Sequence, residues 1–277
     1  MFVSDLHGKK KRYTTLFNFI EKEKPDGVFI GGDLLPSGFG TNIDVDSFLE
    51  EFFISKISTL RKSGLKTRFF TILGNDDPKI YENIMEDAEK DNLIEYVNFH
   101  TVSFDNLFVT GYSYVPPTPF RLKDWEKYDV SQYVDIGAVS PEEGIRTVDV
   151  SKDEIRYGTI EKDIKNLVKN SPAERTIFLF HSPPYNSNLD RAALDNKFVD
   201  HAPVDVHVGS IAIQRLIKNK QPLLTLHGHV HESTRLTGYW KEKIGKTYAF
   251  NAAHDGPELA LIRFRTDDLE NATRALV

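Results

Sequence analysis

The feature that most constrains this chain is a repeated unit in which a short apolar run ends in a turn carrying aspartate, asparagine or histidine. Short apolar runs bounded by such turns predict buried β-strands. Five of these units occur: Phe2-Val3 before Asp5, residues 27–30 before Asp33, residues 68–73 before Asn75, residues 176–180 before His181, and residues 223–226 before His229 and His231. Amphipathic segments lie between them and predict helices. Strands that alternate with helices indicate an α/β fold with a largely parallel sheet.

The helical segments each carry one apolar face. Apolar residues recur at helical spacing in four segments, 13–20, 45–60, 160–168 and 210–219. Pro78 suits the first turn of a further helix that continues to about Lys90, because proline is favoured where the amide would be unpaired anyway. Two final strands near 246–251 and 259–265 indicate mixed additions to the sheet.

Length and composition favour one globular domain over residues 1–277. The chain is 40% hydrophobic and 27% charged, which is ordinary for a protein with a well-formed core. No internal repeat or low-complexity linker divides it. Loops 36–44, 111–152 and 182–208 are expected to determine specificity, because long loops in compact domains are usually functional.

Charge and cysteine content exclude several classes of protein. The net charge is −6, which disfavours nucleic acid as the main partner, because a basic face is usually needed to neutralise phosphates. The absence of cysteine excludes disulfides and thiolate metal sites. No signal pattern or membrane-spanning run occurs, so a cytoplasmic location is expected. A homo-oligomer is compatible with the sequence.

The polar turns are predicted to meet at one edge of the fold. The carboxyl ends of parallel strands lie on the same rim of an α/β sheet, and ligands bind there. Each turn taken alone has an ordinary structural explanation: Asp5 and His7 as a solvated loop, Asp33 as a turn or helix cap, Asn75 as a helix cap, and His181 as a satisfied core histidine. Taken together and in this order, these five side chains and the pair His229 and His231 predict a metal site.

At this point the chain resembles the calcineurin-like metallophosphoesterase family. The matching motifs, in order, are Asp5-Leu-His7, Gly32-Asp33, Gly74-Asn75-Asp76-Asp77, His181 and Gly228-His229-Val-His231. Further segments resemble the small prokaryotic branch related to cyclic-nucleotide phosphodiesterases: Pro117-Thr-Pro-Phe120, His181-Ser-Pro-Pro-Tyr185, His207-Val-Gly-Ser210 and Gly228 to Ser233. The resemblance implies an αββα sandwich of two mixed β-sheets flanked by helices.

The resemblance also implies two divalent metal ions. One would be held by Asp5, His7, Asp33 and His231, and the other by Asp33, Asn75, His181 and His229, with Asp33 bridging both. Ions about 3.5–4 Å apart polarise a shared substrate and lower the pKa of a shared water, which gives hydroxide for attack at phosphorus. Imidazole and carboxylate ligands suit Mn, Fe, Zn or Co better than Mg or Ca.

Asp76 departs from the family pattern, because many members have a histidine there that helps to protonate the leaving group. An unperturbed Asp has a pKa near 3.9, so keeping it protonated at pH 7 costs about 4 kcal/mol. Asp76 is therefore expected to be a poor general acid that orders the loop or binds water. The remaining explanations are that another group supplies the proton, or that the leaving group needs none.

Three further residues are candidates for roles in the site. His254 and His207 could each supply the missing proton, and His207 could instead bind substrate; for each, an ordinary loop histidine is the alternative. Asp77 could orient a metal-binding histidine, or it could cap a helix. The basic run Lys9–Arg12 could attract an anionic substrate, although a solvated helix start is the simpler interpretation.

The predicted function is that of a metal-dependent phosphoesterase, with a phosphodiesterase on a small or nucleotide-derived substrate favoured over a monoesterase. One alternative is a nuclease, which would bind DNA or RNA in a salt-sensitive manner. The other is a metal-binding scaffold that keeps the fold without catalysis. Such a scaffold would be expected to lose metal ligands, whereas all seven are present here.

Overall fold

A computed structural model describes residues 1–36, 44–169 and 172–277, so most of the predicted specificity loop 36–44 lies outside the described residues. The described chain contains fourteen β-strands: β1 (Phe2–Val3), β2 (Gly27–Gly31), β3 (Arg68–Ile72), β4 (Glu95–Tyr96), β5 (Thr101–Phe104), β6 (Leu107–Tyr112), β7 (Thr176–Phe180), β8 (Phe198–Val199), β9 (Ala202–Pro203), β10 (Leu224–His227), β11 (Lys241–Ile244), β12 (Thr247–Asn251), β13 (Ala260–Arg265) and β14 (Asp268–Leu276).

These strands form two six-stranded mixed sheets and one small hairpin. The first sheet has the order β14-β13-β1-β2-β3-β4, and the second has the order β11-β12-β10-β7-β6-β5. In the first sheet, β1 to β4 pair in parallel, and β13 and β14 add an antiparallel edge. In the second, β12, β10, β7 and β6 are parallel between antiparallel β11 and β5. The predicted combination of parallel strands with mixed additions is confirmed.

Eight α-helices accompany the sheets in the described chain: α1 (Lys10–Glu23), α2 (Val45–Ser47), α3 (Ser55–Lys62), α4 (Glu82–Lys90), α5 (Lys152–Tyr157), α6 (Ile160–Leu167), α7 (Ile211–Lys220) and α8 (Ser233–Thr237). A π-helical segment, Phe48–Ile54, joins α2 to α3, and short 3₁₀ turns occupy Lys79–Tyr81 and Ala173–Arg175. The predicted helices at 45–60, 160–168 and 210–219 are confirmed. Pro78 precedes the 3₁₀ turn rather than lying within a helix.

The two sheets pack face to face, and helices cover their outer faces. Alternate residues of each strand point to opposite sides, so Phe29 and Phe70 pack with Leu179 and Leu226 of the second sheet in one apolar cluster. The residues on the other face of β2, Val28 and Ile30, belong to the cluster that contains the apolar face of α1. Both faces are buried, which explains why the strands are continuous apolar runs rather than alternating ones. The predicted αββα sandwich is confirmed.

No helix in the described residues is both long enough and apolar enough to cross a membrane.

Candidate metal centre and its cavity

The two sheets present their predicted ligands to one common edge. Asp5, Asp33 and Asn75 follow β1, β2 and β3 of the first sheet. His181 follows β7, and His229 and His231 follow β10, so these three come from the second sheet. The rim predicted for a single sheet is therefore formed where the carboxyl ends of two packed sheets meet. All seven side chains, including His7, lie in this region.

Four of the seven form a compact group. Asp5, His7, Asp33 and His231 each offer one ligand atom, and these atoms lie within 4.8 Å of one another. His231 Nε2 lies 3.0 Å from Asp5 Oδ1 and 3.1 Å from His7 Nε2. Burial disfavours a charged Asp5, but the hydrogen bond with His231 holds the pKa of this carboxyl well below its usual range. Two carboxylates with converging imidazole nitrogens are a fitting donor set for a divalent cation.

The other three ligands form a second group, in which His181 contacts Asp33, Asn75 and His229. His181 Nδ1 lies 2.7 Å from the carbonyl oxygen of Gly31, and an N–H donated there leaves Nε2 with its lone pair. That Nε2 lies 3.1 Å from Asn75 Oδ1 and 3.3 Å from Asp33 Oδ2. The His229 ring packs edge-on against His181, with the ring centres 5.2 Å apart.

Nε2 of His181 thus lies among oxygen acceptors, and this arrangement favours a positive charge on the imidazole. Burial opposes a charged His181, yet the carboxylate of Asp33 outweighs burial and raises the pKa of His181 to about 10. A metal cation bound between these atoms would supply the positive charge instead, because nitrogen and oxygen lone pairs are both metal ligands. The residues present therefore fit a second divalent ion.

Several of the ligands have a strained backbone. Asp5, His7, Asp33 and His229 have φ angles of 57°, 46°, 52° and 70°, in the left-handed region that non-glycine residues seldom adopt. Such conformations cost about 1–3 kcal/mol each and persist only where the surroundings hold them in place. Helix ends elsewhere in the chain, such as Lys24 and Gln221, have positive φ angles too, but here four such residues are predicted ligands at one edge of the fold.

Two glycines allow the turns to approach the carboxylates closely. A Cβ atom at Gly74 would collide with Asp33 Oδ1, and a Cβ atom at Gly228 would collide with Asp5 Oδ2. The motifs Gly74-Asn75 and Gly228-His229 thus need glycine for space beside the buried acids.

Asp77 holds two of the ligand turns together. Its fully buried carboxylate accepts hydrogen bonds from the amides of Leu34 and Leu35 in the turn after β2, and from the amide of Gly74 after β3. The donors to its two oxygens are backbone amides, so Asp77 positions the turns that carry the ligands rather than a histidine ring directly. The alternative of a helix cap is wrong, since the following 3₁₀ turn has no side-chain cap.

Arg12 supports the site in a way that the sequence did not indicate. It is buried, and its guanidinium donates to the carbonyl oxygens of Asp5 and Gly256. The interpretation of Lys9–Arg12 as a solvated helix start is therefore wrong for Arg12. The signal that could have revealed this was its place on α1: Arg12 lies beside Tyr13 and four residues before Leu16, both on the buried face.

Asp76 lies between the ligands and a cavity. Its Oδ2 atom is 3.7 Å from His7 Nδ1, and its backbone amide donates to Asp33 Oδ1. Burial, followed by the charge of Asp33, raises the pKa of Asp76 to about 7. Cations beside Asp33 would oppose this shift, because they neutralise the charge that favours the protonated form. Asp76 therefore lies at the site, and bound cations would make its carboxyl a weaker candidate for the general acid.

A cavity of about 480 Å³ opens beside the ligands and contains His207 in its wall. Asp33, Asn75, His229 and His231 line the same cavity. His207 therefore lies near the predicted metal centre although it is remote from it in sequence.

A buried acid orients His207. Asp190 Oδ1 lies 2.8 Å from His207 Nδ1, and the Asp190 carboxylate also accepts the amides of Asn186, Ser187 and Gly209. Asp190 is fully buried, whereas a quarter of the His207 side chain is exposed. Nδ1 is thus occupied, and Nε2 is the ring nitrogen left to meet a bound molecule. Asp190 was not identified from the sequence, because an Asp seventeen residues away carries no pattern.

His254 faces a different environment. It contacts Glu258 at 3.1 Å and Asp255 at 3.8 Å, both partly exposed acids. It is not among the described residues that line the cavity. Of the two candidate histidines, His207 lines this cavity and His254 does not.

One wall of the cavity depends on a buried ion pair. Lys123 and Glu126 are both inaccessible to solvent, and Lys123 Nζ donates to Glu126 and to the carbonyl oxygen of Thr118. The amide and hydroxyl of Thr118 both donate to Glu126. Thr118 lies in the turn 116–120, whose residues line the cavity. The pair therefore gives the otherwise irregular loop 111–152 a fixed anchor beside the site.

We expect Lys123→Met to destabilise the protein by about 3–5 kcal/mol, because it leaves Glu126 buried without a countercharge. Lys123→Met/Glu126→Gln should recover part of this loss, since Gln keeps an acceptor for Thr118. Urea unfolding measures both effects. Lys56→Met breaks an exposed ion pair with Glu21 and is the matched control, with an expected change below about 1 kcal/mol. Equal effects of the two Lys→Met changes would contradict the role given to the buried pair.

The architecture, two mixed sheets flanked by helices with the ligands at their common edge, is the metallophosphoesterase fold. Calcineurin-like phosphoesterases as a family match residues 1–233, a span that includes all seven predicted ligands. This chain therefore belongs to the calcineurin-like phosphoesterase family, whose members are metal-dependent phosphoester hydrolases. No curated protein shows a significant sequence match to it.

Solved structures share the fold over nearly the whole chain. The protein TT1561 of Thermus thermophilus is 17% identical, with a TM-score of 0.56, over 99% of this chain and 96% of that one. A second structure reaches a TM-score of 0.60 at 15% identity, over 99% and 97% of the two chains. The phosphopantetheinyl hydrolase PptH of Mycobacterium tuberculosis is 11% identical, with a TM-score of 0.51, over 91% and 88%. At these identities the likeness shows the fold alone.

Proposed function

We propose that this protein is a phosphodiesterase that uses two divalent metal ions. The observation that carries the proposal is the convergence of carboxylate oxygens and imidazole nitrogens from both sheets on Asp33. One ion would be held by Asp5, His7, Asp33 and His231, whose ligand atoms lie within 4.8 Å of one another. The second would be held by Asp33, Asn75, His181 and His229, where His181 Nε2 lies 3.3 Å from Asp33.

Asp33 would bridge the two ions, and the position of its Oδ2 atom, 4.0 Å from His7 Nε2 and 3.3 Å from His181 Nε2, supports this role. Bound divalent ions would neutralise phosphoryl oxygens and favour ionisation of the attacking water. The balance of imidazole and carboxylate ligands favours Mn, Fe, Zn or Co. The contact of His181 with the Gly31 carbonyl fixes the tautomer that leaves Nε2 for the ion.

We assign the proton for the leaving group to His207, held by Asp190. A general acid must sit in the substrate cavity with one face free, and His207 meets both conditions, whereas His254 does not. Asp190 acts as a positioning residue, because it engages Nδ1 and so directs Nε2 toward bound substrate. Asp76 then serves to order the loop through its amide, not to donate the proton.

A diester fits the charge of the site better than a monoester. Among the described residues that line the cavity, none is lysine or arginine, while Asp76, Asp135, Asp205 and Glu232 all line it. A phosphomonoester carries up to two negative charges near neutral pH, whereas a diester carries one. The diester therefore meets less repulsion from these carboxylates.

The test is hydrolysis of bis-p-nitrophenyl phosphate and p-nitrophenyl phosphate by protein loaded with Mn, followed by elemental analysis. We expect the diester to be hydrolysed with at least about tenfold higher kcat/KM, a difference of about 1.4 kcal/mol in activation free energy. The loaded protein should contain two ions per chain, and a chelator should abolish the activity. Absence of metal-dependent hydrolysis of either ester would favour the scaffold alternative, and salt-sensitive cleavage of DNA would favour the nuclease.

We further propose that residues 1–277 form one domain, although the family match ends at residue 233. β13 lies beyond that point and pairs with β1, Phe2 opposite Ile262, so the first sheet needs the later residues. A cytoplasmic location and a homo-oligomeric state stay predictions from the sequence.

A further inference from the structure

The walls of the cavity beside the proposed metal centre are predominantly apolar. The cavity spans the turn 116–120, the segment 135–138 and parts of the loop 182–208. The larger apolar side chains that line it are Pro117, Phe120, Ile136, Leu194, Val204 and Val208. These residues come from both long irregular loops, so the loops together form one apolar surface next to the ligands.

Some of this apolar surface is unusually open to solvent. The Phe120 side chain is 60% exposed and Ile136 is 39% exposed, although both line the cavity. A contiguous exposed apolar surface beside a polar catalytic edge is typical of a binding site for an apolar group. Asp33 and Asn75 line the same cavity, so a group bound against this surface would lie next to the proposed metal ligands.

The charges in the cavity wall are negative. Asp135, Asp205 and Glu232 line it, and none of the described lining residues is lysine or arginine. Burial, followed by the charge of Asp205, raises the pKa of Asp135. Asp205 accepts hydrogen bonds from the Tyr185 hydroxyl and the His207 amide. A second anionic group on the substrate would be repelled.

We propose that the cavity selects a phosphate ester whose organic group is an apolar chain without anionic charge. The proposal rests on the phosphodiesterase function proposed above and narrows its substrate class to alkyl-type esters. It disfavours nucleotides that carry further phosphates, because such phosphates have no basic partner among the described lining residues. The apolar walls favour binding of the alkyl group, and the acidic residues disfavour substrates that carry a second anionic group.

The test uses monomethyl esters of alkylphosphonates, named below by the alkylphosphonate, because they carry one negative charge as a phosphodiester does. Their binding to the Mn-loaded protein, measured by isothermal titration calorimetry, tests the proposal without requiring turnover. Affinity should rise from methylphosphonate to butylphosphonate, by at most about fourfold for each buried methylene. Butylphosphonate carrying a terminal carboxylate should bind at least about tenfold more weakly than butylphosphonate. Equal affinities along the series, tighter binding of the carboxylate compound, or no binding of any of them would overturn the proposal.

Variants of one cavity residue sharpen the test. Ile136→Ala should reduce the gain in affinity from methyl- to butylphosphonate, whereas Ile145→Ala should not. Ile145 is 50% exposed on the same loop and is not among the described lining residues, so it is the matched control. Ile136→Lys should reverse the preference and favour the carboxylate compound, because it adds the missing positive charge. An unchanged preference in Ile136→Lys would count against the proposed role of charge.

The outcomes for specificity and for catalysis are separable. Hydrolysis of methyl p-nitrophenyl phosphate without any effect of chain length on phosphonate binding would overturn the substrate class and leave the phosphodiesterase function standing. Chain-length-dependent binding without hydrolysis of any phosphate ester would support the apolar subsite and overturn the function.

Discussion

Replacement of Asp33 by Asn should reduce kcat/KM for a phosphodiester by about 10³-fold or more, which corresponds to about 4 kcal/mol of lost transition-state stabilisation. The Asp33 carboxylate lies within 4.0 Å of both His7 and His181, so it is the natural bridge between the two proposed ions. Asn has a single uncharged oxygen, so it cannot provide a negatively charged ligand to both ions. Elemental analysis should show fewer than two ions per chain.

The fold should tolerate this change, because Asn also keeps an acceptor for the Asp76 amide that Asp33 binds. Asp267→Asn, which removes an exposed charge paired with Arg265, is the matched control and should retain both activity and metal content. Urea unfolding of the two variants separates loss of metal from loss of structure. An Asp33→Asn protein that kept two ions and full activity would contradict the assignment of the bridge.

The ligands could be found from the sequence because each one follows a strand that is buried on both faces. Such strands are continuous apolar runs, and their ends are easy to place. The arrangement of the strands in two sheets was not contained in that pattern; it came from the resemblance to a known family. The continuous apolar runs indicate that β3 and β7 are strands, but they do not indicate that the two strands belong to different sheets.

The strands that were missed are those at the edges. β11 and β14 contain mostly polar or charged residues, because an edge strand has one side facing solvent and needs little apolar surface. The β8 and β9 hairpin is two residues long on each side and is largely exposed. Such elements are too short to be identified as strands from residue propensity or apolar periodicity.

The supporting residues of the site show a similar limit. Asp77 resembled a residue that orients histidine, and the structure instead shows it binding amides of two neighbouring turns. Those turns carry Asp33 and Asn75, and Asp33 has a strained backbone. Strain at a ligand must be offset by contacts elsewhere. Such contacts join segments about forty residues apart, which local sequence patterns do not reveal.

His207 and His254 illustrate the same point for catalysis. Both are loop histidines near the ends of their segments, and the sequence offers no basis for choosing between them. The choice depends on the path of the loop 182–208, which Asp190 fixes by accepting three amides as well as His207. A buried acid with several donors is a three-dimensional feature, so the choice between the two candidate histidines depends on the structure.

Replacement of His207 by Asn should lower kcat for a diester with a poor leaving group, such as methyl phenyl phosphate, by about 10²-fold or more. Its effect on methyl p-nitrophenyl phosphate should be small, because a good leaving group departs without a proton. Asn keeps a donor for Asp190 where Nδ1 stood, so the loop is retained and only the outward nitrogen is lost.

Two further variants decide whether His207 donates a proton or merely maintains the cavity. Asp190→Asn should weaken the orientation of His207 and produce the same dependence on leaving group to a smaller degree, with little change in KM. His254→Gln should leave rates with both leaving groups unaltered, since His254 contacts Glu258 and Asp255 instead of the cavity. A uniform loss with all leaving groups in His207→Asn would indicate damage to substrate binding. A loss of kcat confined to substrates with poor leaving groups would identify His207 as the proton donor, because a general acid matters only where the leaving group must be protonated.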